Sequence, residues 1–193
     1  MEHTSFLTED GIKIETTVFY DDNSIPESCL KRIFQNMCES GDMIIGFGTK
    51  WSHMEPRVVL LKLCTQVGCV LVRLSRNNSG PSYLKNFLSN EDIVFAGVHI
   101  KKDIKKLQKE YGIDIKNAVD LSELAASVLH QPRLIAYSVR GLASEVLLQP
   151  WKPRSWNIVK AAWYAVPLID HEMIQCPTVD VYVAYKIAKK LIG

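Results

Sequence analysis

The sequence predicts an α/β domain: a mixed β-sheet of antiparallel N-terminal strands plus one further strand, flanked by helices, with a helical C-terminal half. Three observations predict it. Alternating, β-branched runs concentrate in the first half of the chain. A continuous apolar run follows at 92–100, of the kind buried on both faces of a sheet. Beyond it, apolar residues recur at helical spacing almost to the C-terminus. Such an order packs helices against a sheet built mainly by the N-terminal half.

Each element has its own signal. "GIKIETTVFY" (11–20) alternates as a strand and "DDNS" breaks it. Pro26 to Glu39 reads as a helix, with Ser24 as its cap and Leu30, Ile33, Phe34 and Met37 on one face. "DMIIGFGTKW" (42–51) is the next strand, nearly all apolar in its first half. "RVVLLKLCTQ" and "CVLVRLS" flank Val67-Gly68 and form a hairpin. A loop, "NNSGPS", leads to a short helix over Pro81–Ser89, then to the strand at 92–100.

Lys101–Tyr111 carries Ile104, Leu107 and Tyr111 on one helical stripe, and Asp103 lies one turn before Leu107. Further helices are expected over 120–129, 138–148 and 155–164. Asp170 caps a last helix running toward Leu191, which Pro177 should kink or divide.

The 193 residues fit one domain, 1–193, with a strand-and-helix extension (1–40) ahead of a core (41–193). At 47% hydrophobic, 23% charged and net charge +2, the composition is that of a globular protein without a strongly basic surface. No apolar run reaches the ~18 residues a membrane span needs, so no membrane partner is expected. Cys29, Cys38, Cys64, Cys69 and Cys176 are odd in number and make no CxxC pair. The N-terminus lacks a secretory pattern. Reduced thiols in a cytoplasmic or nuclear protein are therefore expected, with Cys64 and Cys69 as buried small hydrophobes. "HEMIQ" (171–175) starts like a zinc-protease motif but has Gln175 where the second His would be. The acceptor pattern at 77–79 is idle without secretion.

Several stretches, in this order, resemble one family. They are "IIGFGTKW" (44–51), "LLKLC" (60–64) followed by "CVLVRL", "AGVHIKKDIKKL" (96–107), "DLSELA" (120–125), "GLA" (141–143) and "CPTVDVY" (176–182). Together they resemble the Werner-syndrome-like domain of the DEDD 3′–5′ exonucleases, of the DEDDy type, whose fold is ribonuclease H-like. The resemblance covers roughly residues 40–190 and is nearest to small, stand-alone plant domains, some of which form ring-shaped homo-oligomers.

The resemblance implies a chemistry. Active members hold two Mg²⁺ or Mn²⁺ ions with four carboxylates; one metal activates water and the other stabilises the leaving oxygen. Hard cations need such oxygen ligands. The family pattern has Asp-x-Glu-Trp where this chain has Gly48, Thr49, Lys50 and Trp51. Its strand "LLQLC" is here "LLKLC". A helix Asp matches Asp103 and the final Asp matches Asp180, while Cys176 stands where a Tyr orients the attacking water. Two carboxylates thus remain as remnant metal positions, and no catalytic set is intact.

No cofactor is expected for such a chain, with Mg²⁺ or Mn²⁺ implied only if it is active. The Lys50 ammonium is expected to occupy part of the metal space, paired with Asp103 or Asp180. Read without the resemblance, Gly48 is a bulge or a close backbone approach, Lys50 a solvated side chain, and Asp103 a first-turn helix carboxylate. Lys101, Lys102, Lys105, Lys106 and Lys109 form either a solvated helix face or a surface for a phosphate backbone. Arg133, Arg140, Lys152 and Arg154 extend the second reading. The four tryptophans are expected in the core or an interface.

Three functions follow. The leading one is an inactive exonuclease-fold protein that binds single-stranded RNA or DNA, or a nuclease partner. A second is an active 3′–5′ exonuclease whose site is completed by a neighbouring subunit, or by Glu55 and Asp120. A third is a structural subunit in a homo-oligomer or in a mixed ring with an active paralogue.

Overall fold

The computed structural model describes residues 1–52, 57–75, 80–152 and 171–193. Seven strands form one sheet: β1 (Glu2–Leu7), β2 (Lys13–Phe19), β3 (Ile44–Trp51), β4 (Val58–Thr65), β5 (Gly68–Arg73), β6 (Val94–Gly97) and β7 (Ala118–Asp120). Their spatial order is β1-β2-β5-β4-β3-β6-β7. The pairs β1/β2, β3/β4 and β4/β5 are antiparallel. The pairs β2/β5, β3/β6 and β6/β7 are parallel. The sheet is therefore mixed, as expected, and the hairpin turns where Val67-Gly68 predicts.

Six α-helices are described: α1 (Glu27–Ser40), α2 (Ser82–Leu88), α3 (Lys101–Tyr111), α4 (Leu121–Val128), α5 (Val139–Val146) and α6 (His171–Ile192). They cover both faces of the sheet. On one face Ile45, Phe47, Leu61, Leu63, Val70 and Val72 pack with Leu30, Leu84 and Leu107 of α1, α2 and α3. On the other, Cys64, Cys69 and Ala96 pack with α4, α5 and α6 through Ala125, Leu142, Val181 and Ala184. Alternate strand residues serve the two faces, as the pleat requires.

Gly46 sets how near α6 comes. A Cβ there would lie 2.2 Å from the Val181 carbonyl oxygen and 2.7 Å from the Tyr185 amide nitrogen. Only glycine lets the helix backbone rest on β3. Tyr185 then donates to Asp42 Oδ2 at 2.5 Å, and Tyr182 donates to Asp10 Oδ2 at 2.9 Å. Burial and the neighbouring carboxylate push both phenols well above their ordinary range, so they remain donors.

Several expectations need correction. Cys64 and Cys69 are disulfide-bonded, not separate thiols. They face each other in the β4/β5 register with Cα atoms 4.1 Å apart, so the hairpin itself brings the sulfurs together. Pro177 does not divide α6, which runs unbroken through it. Ser24 closes a 3₁₀ turn, and Pro26 stands at the N-cap of α1. The strand expected at 92–100 is ordered as strand only over Val94–Gly97, because the chain turns at His99 with φ +57°. An unexpected strand, β1, pairs with β2 from Lys13 to Val18. The helix expected at 155–164, the Asp170 cap, and Glu55, Arg154, Trp156 and Trp163 lie outside the described residues, as does the acceptor at 77–79. Among the described residues, no helix is long and apolar enough to cross a membrane.

The two β3 glycines should respond differently to a methyl group. Gly46→Ala should cost about 2–3 kcal/mol in urea unfolding, because the clash is with helix backbone. Gly48→Ala should cost less than about 1 kcal/mol, because its nearest neighbour is the flexible end of Lys62.

A cleft in which two carboxylates meet two cations

The positions drawn from β3, α3 and α6 converge. A cleft of about 230 Å³ is lined by Gly48 and Thr49 of β3, Lys62 of β4, Asp103 of α3, and Asp180 and Val181 of α6. His99, Ser138 and Val139 close its remaining side. Gly48, Asp103 and Asp180 are thus brought together as the motif spacing requires. Lys50 and Cys176 do not line the cleft. Lys50 is half-buried at the far end of β3, next to an irregularity in the β3/β4 register between Lys50 and Trp51.

Lys62 is a lysine that lines this space. Lys62 sits directly opposite Gly48 in the antiparallel register. A Cβ on Gly48 would lie 3.0 Å from Lys62 Cε and 3.3 Å from Nζ. The lysine stem therefore lies over the strand where a side chain at position 48 would start. Lys62 is only 8% exposed. The strand around it, Val58–Thr65, is apolar at nearly every other position, so its aliphatic stem packs well while the ammonium reaches the polar cleft.

Asp103 is held from the sheet. The Trp51 indole Nε1 donates to its Oδ1 at 2.8 Å. Trp51 is itself covered by Lys106, whose Nζ lies 4.4 Å from the ring centroid. Burial pushes the Asp103 carboxyl above its ordinary range. Thr49, the Trp51 donor and the Lys62 charge pull the other way without cancelling it.

Asp180 is held from α5. Arg140 Nε donates to its Oδ1 at 3.0 Å, with both side chains largely buried. The same guanidinium donates to the Lys152 carbonyl at 2.7 Å and to Cys176 Sγ at 3.8 Å. Ser138 caps α5 by accepting from Gly141 N, which places Arg140 in the first turn, facing α6.

The donor set does not fit a pair of divalent ions. Among the described residues, no group of three or more His, Cys, Asp and Glu side chains could hold a metal. The two carboxylates present are bonded to an indole and a guanidinium, and an ammonium stands beside them. Asp120 cannot move in, because it caps α4 through Ser122 and accepts from Ile100 N at 3.1 Å.

The proposed phosphate-facing lysines divide. Lys101 pairs with Glu123 at 2.5 Å and Lys106 with Glu110 at 3.1 Å. Lys102, Lys105 and Lys152 are exposed. The sequence reading missed Lys62 altogether and treated Arg140 as a surface cation. The signal for Lys62 was a lone charge in an apolar strand; for Arg140 it was a position two residues after a capping serine.

Residues 29–192 match the family model described as a 3′–5′ exonuclease. The chain is 26% identical over 161 residues to exonuclease 3′–5′ domain-containing protein 2 of Drosophila melanogaster, covering 81% of this chain and 26% of that protein. It is 29% identical over 155 residues to the bifunctional 3′–5′ exonuclease/ATP-dependent helicase WRN of Mus musculus, covering 77% and 11%. The chain therefore spans about a quarter or less of the length of these two relatives. Escherichia coli RNase D shares the fold with a TM-score of 0.71 at 17% identity, over 92% of this chain and 44% of that one. Brucella melitensis NrnC bound to pGG gives 0.68 at 13% identity, over 91% and 80%.

Two outcomes follow from the electrostatics. The folded state holds the Asp103 proton more tightly than the unfolded chain does. This carboxyl therefore favours folding below its unfolded pKa of 3.8, and that contribution is lost as pH rises through the higher folded value. Asp103→Asn should melt above the native protein at pH 7, and the gap should close as pH falls below about 4. Arg140→Met removes the buried guanidinium bonded to Asp180 and should cost about 3 kcal/mol, or about 6–12 °C in Tm. Adding Asp180→Leu should recover most of that loss.

Proposed function

The chain belongs to the 3′–5′ exonuclease family, and from that premise we propose that it is a non-catalytic member that binds single-stranded nucleic acid ends in the cleft between β3, α3 and α6. The observation that carries this reading is the Lys62 ammonium beside Gly48, in the space that the family resemblance assigns to a bridging carboxylate and its metals.

Two-metal hydrolysis needs anionic oxygens to hold both ions in place. Here the two carboxylates that match the family pattern have other work. Asp180 offsets Arg140 and Asp103 accepts from Trp51. A metal entering between them would have to displace a buried guanidinium and approach an ammonium.

Loss of metal ligands leaves the cleft in place. Its walls stay polar, and the exposed Lys102 and Lys105 stand on the helix that begins at its edge. NrnC, a fold neighbour, is bound to pGG. A single strand carries a phosphate at every step, so cationic walls give it salt-dependent affinity without sequence preference.

The test is incubation with 5′-labelled single-stranded RNA and DNA in Mg²⁺ or Mn²⁺, with Asp180→Ala alongside. The expected result is no shortening by either protein and a gel shift that weakens with salt. Stepwise shortening by the native chain and not by Asp180→Ala would overturn the reading. Gly48→Asp alone should remain inactive, because the new carboxylate would meet the Lys62 ammonium before it met a metal.

A further inference from the structure

We infer that Lys62 supplies inside the chain the positive charge that metal ions supply elsewhere in the family, so that this cleft holds a terminal phosphodiester without any divalent cation. The inference rests on the proposed binding reading and adds its chemistry.

The geometry is built from this chain's own residues. Gly48 and Lys62 are cross-strand partners, and the missing side chain at one is the room for the other. A carboxylate at 48 and a lysine at 62 would compete for one space. The lysine is 92% buried by its 8% exposure, so its ammonium has little freedom to leave the cleft. Lys62 lines the same cleft as Asp103 of α3.

The rest of the wall suits an anion. Ser138 and Val139, at the N-terminus of α5, line the cleft opposite Lys62. The unpaired amides and dipole of a helix start carry partial positive charge. Arg140 offsets the charge of Asp180, one of the two carboxylates in the cleft.

A cleft of about 230 Å³ has room for a phosphate and part of a sugar, not for a folded duplex. The ligand class is thus the end of a single strand. Because the charge is covalently built in, chelators should not release it and added Mg²⁺ should compete for the phosphate instead of assisting it.

The experiment measures anisotropy of a 5′-labelled single-stranded oligonucleotide in EDTA and in Mg²⁺. It uses the native chain, Lys62→Met and Lys62→Arg. Melting curves and the Arg variant, which keeps charge and length, separate loss of charge from loss of fold. The expected result is binding in EDTA at least as tight as in Mg²⁺. Affinity should fall about tenfold or more in Lys62→Met and be largely kept in Lys62→Arg. Binding that requires Mg²⁺, or that is unchanged in a folded Lys62→Met, would overturn this inference while leaving the binding reading standing. Binding lost in Lys102→Ala/Lys105→Ala but not in Lys62→Met would move the contact to the surface of α3 and overturn it too. No binding under any condition would overturn both.

Discussion

Positions 48 and 62 face each other across β3 and β4, and the end of the Lys62 side chain lies where a side chain at 48 would start. The charges of the cleft are arranged around that pairing. With glycine at 48, Lys62 lies over the strand and brings a buried positive charge to the point where α3 and α6 approach. That charge is tolerable because two carboxylates are near. The carboxylates in turn are tolerable because Trp51, Arg140 and Lys62 satisfy them. Each buried ionic group would be costly alone, and the set lowers that cost without cancelling it for Asp103.

Asp103 and Asp180 are therefore fixed by folding as much as by any ligand. Asp180 sits in the middle of α6, on the stretch drawn against β3 by the close approach at Gly46. A carboxylate there must meet something, and the first turn of α5 supplies a guanidinium. Asp103 lies in the first turn of α3, where the helix dipole favours it, yet burial still disfavours its charged form. Acidic residues at these two places are compatible with a chain that holds no metal, provided cations replace it.

The frame of this site was legible in the sequence, and its electrostatics were not. An apolar run marked β3, two β-rich runs around a Gly turn marked the β4–β5 hairpin, and helical spacing marked α3 to the residue at both ends. Motif order then placed Gly48, Asp103 and Asp180 in one cleft, as the structure does. The lysine that lines the cleft, Lys62, was not singled out in the sequence. Finding it required the β3/β4 register, which pairs it with Gly48. The β4/β5 register explains the Cys64–Cys69 bond: read singly, each cysteine is a small hydrophobe, and only the hairpin makes them opposite. Arg140 was legible as a cation, but its burial depends on how α5 docks against α6.

The account stands or falls on what occupies the space between Asp103, Asp180 and Gly48. The most direct measurement is a crystal of the protein soaked in Mn²⁺, with anomalous difference maps of the cleft. The account predicts no manganese peak between the two carboxylates, with the Lys62 ammonium ordered over Gly48 and Arg140 still bonded to Asp180. An ordered manganese ion ligated by Asp103 and Asp180, with Lys62 swung away, would contradict it.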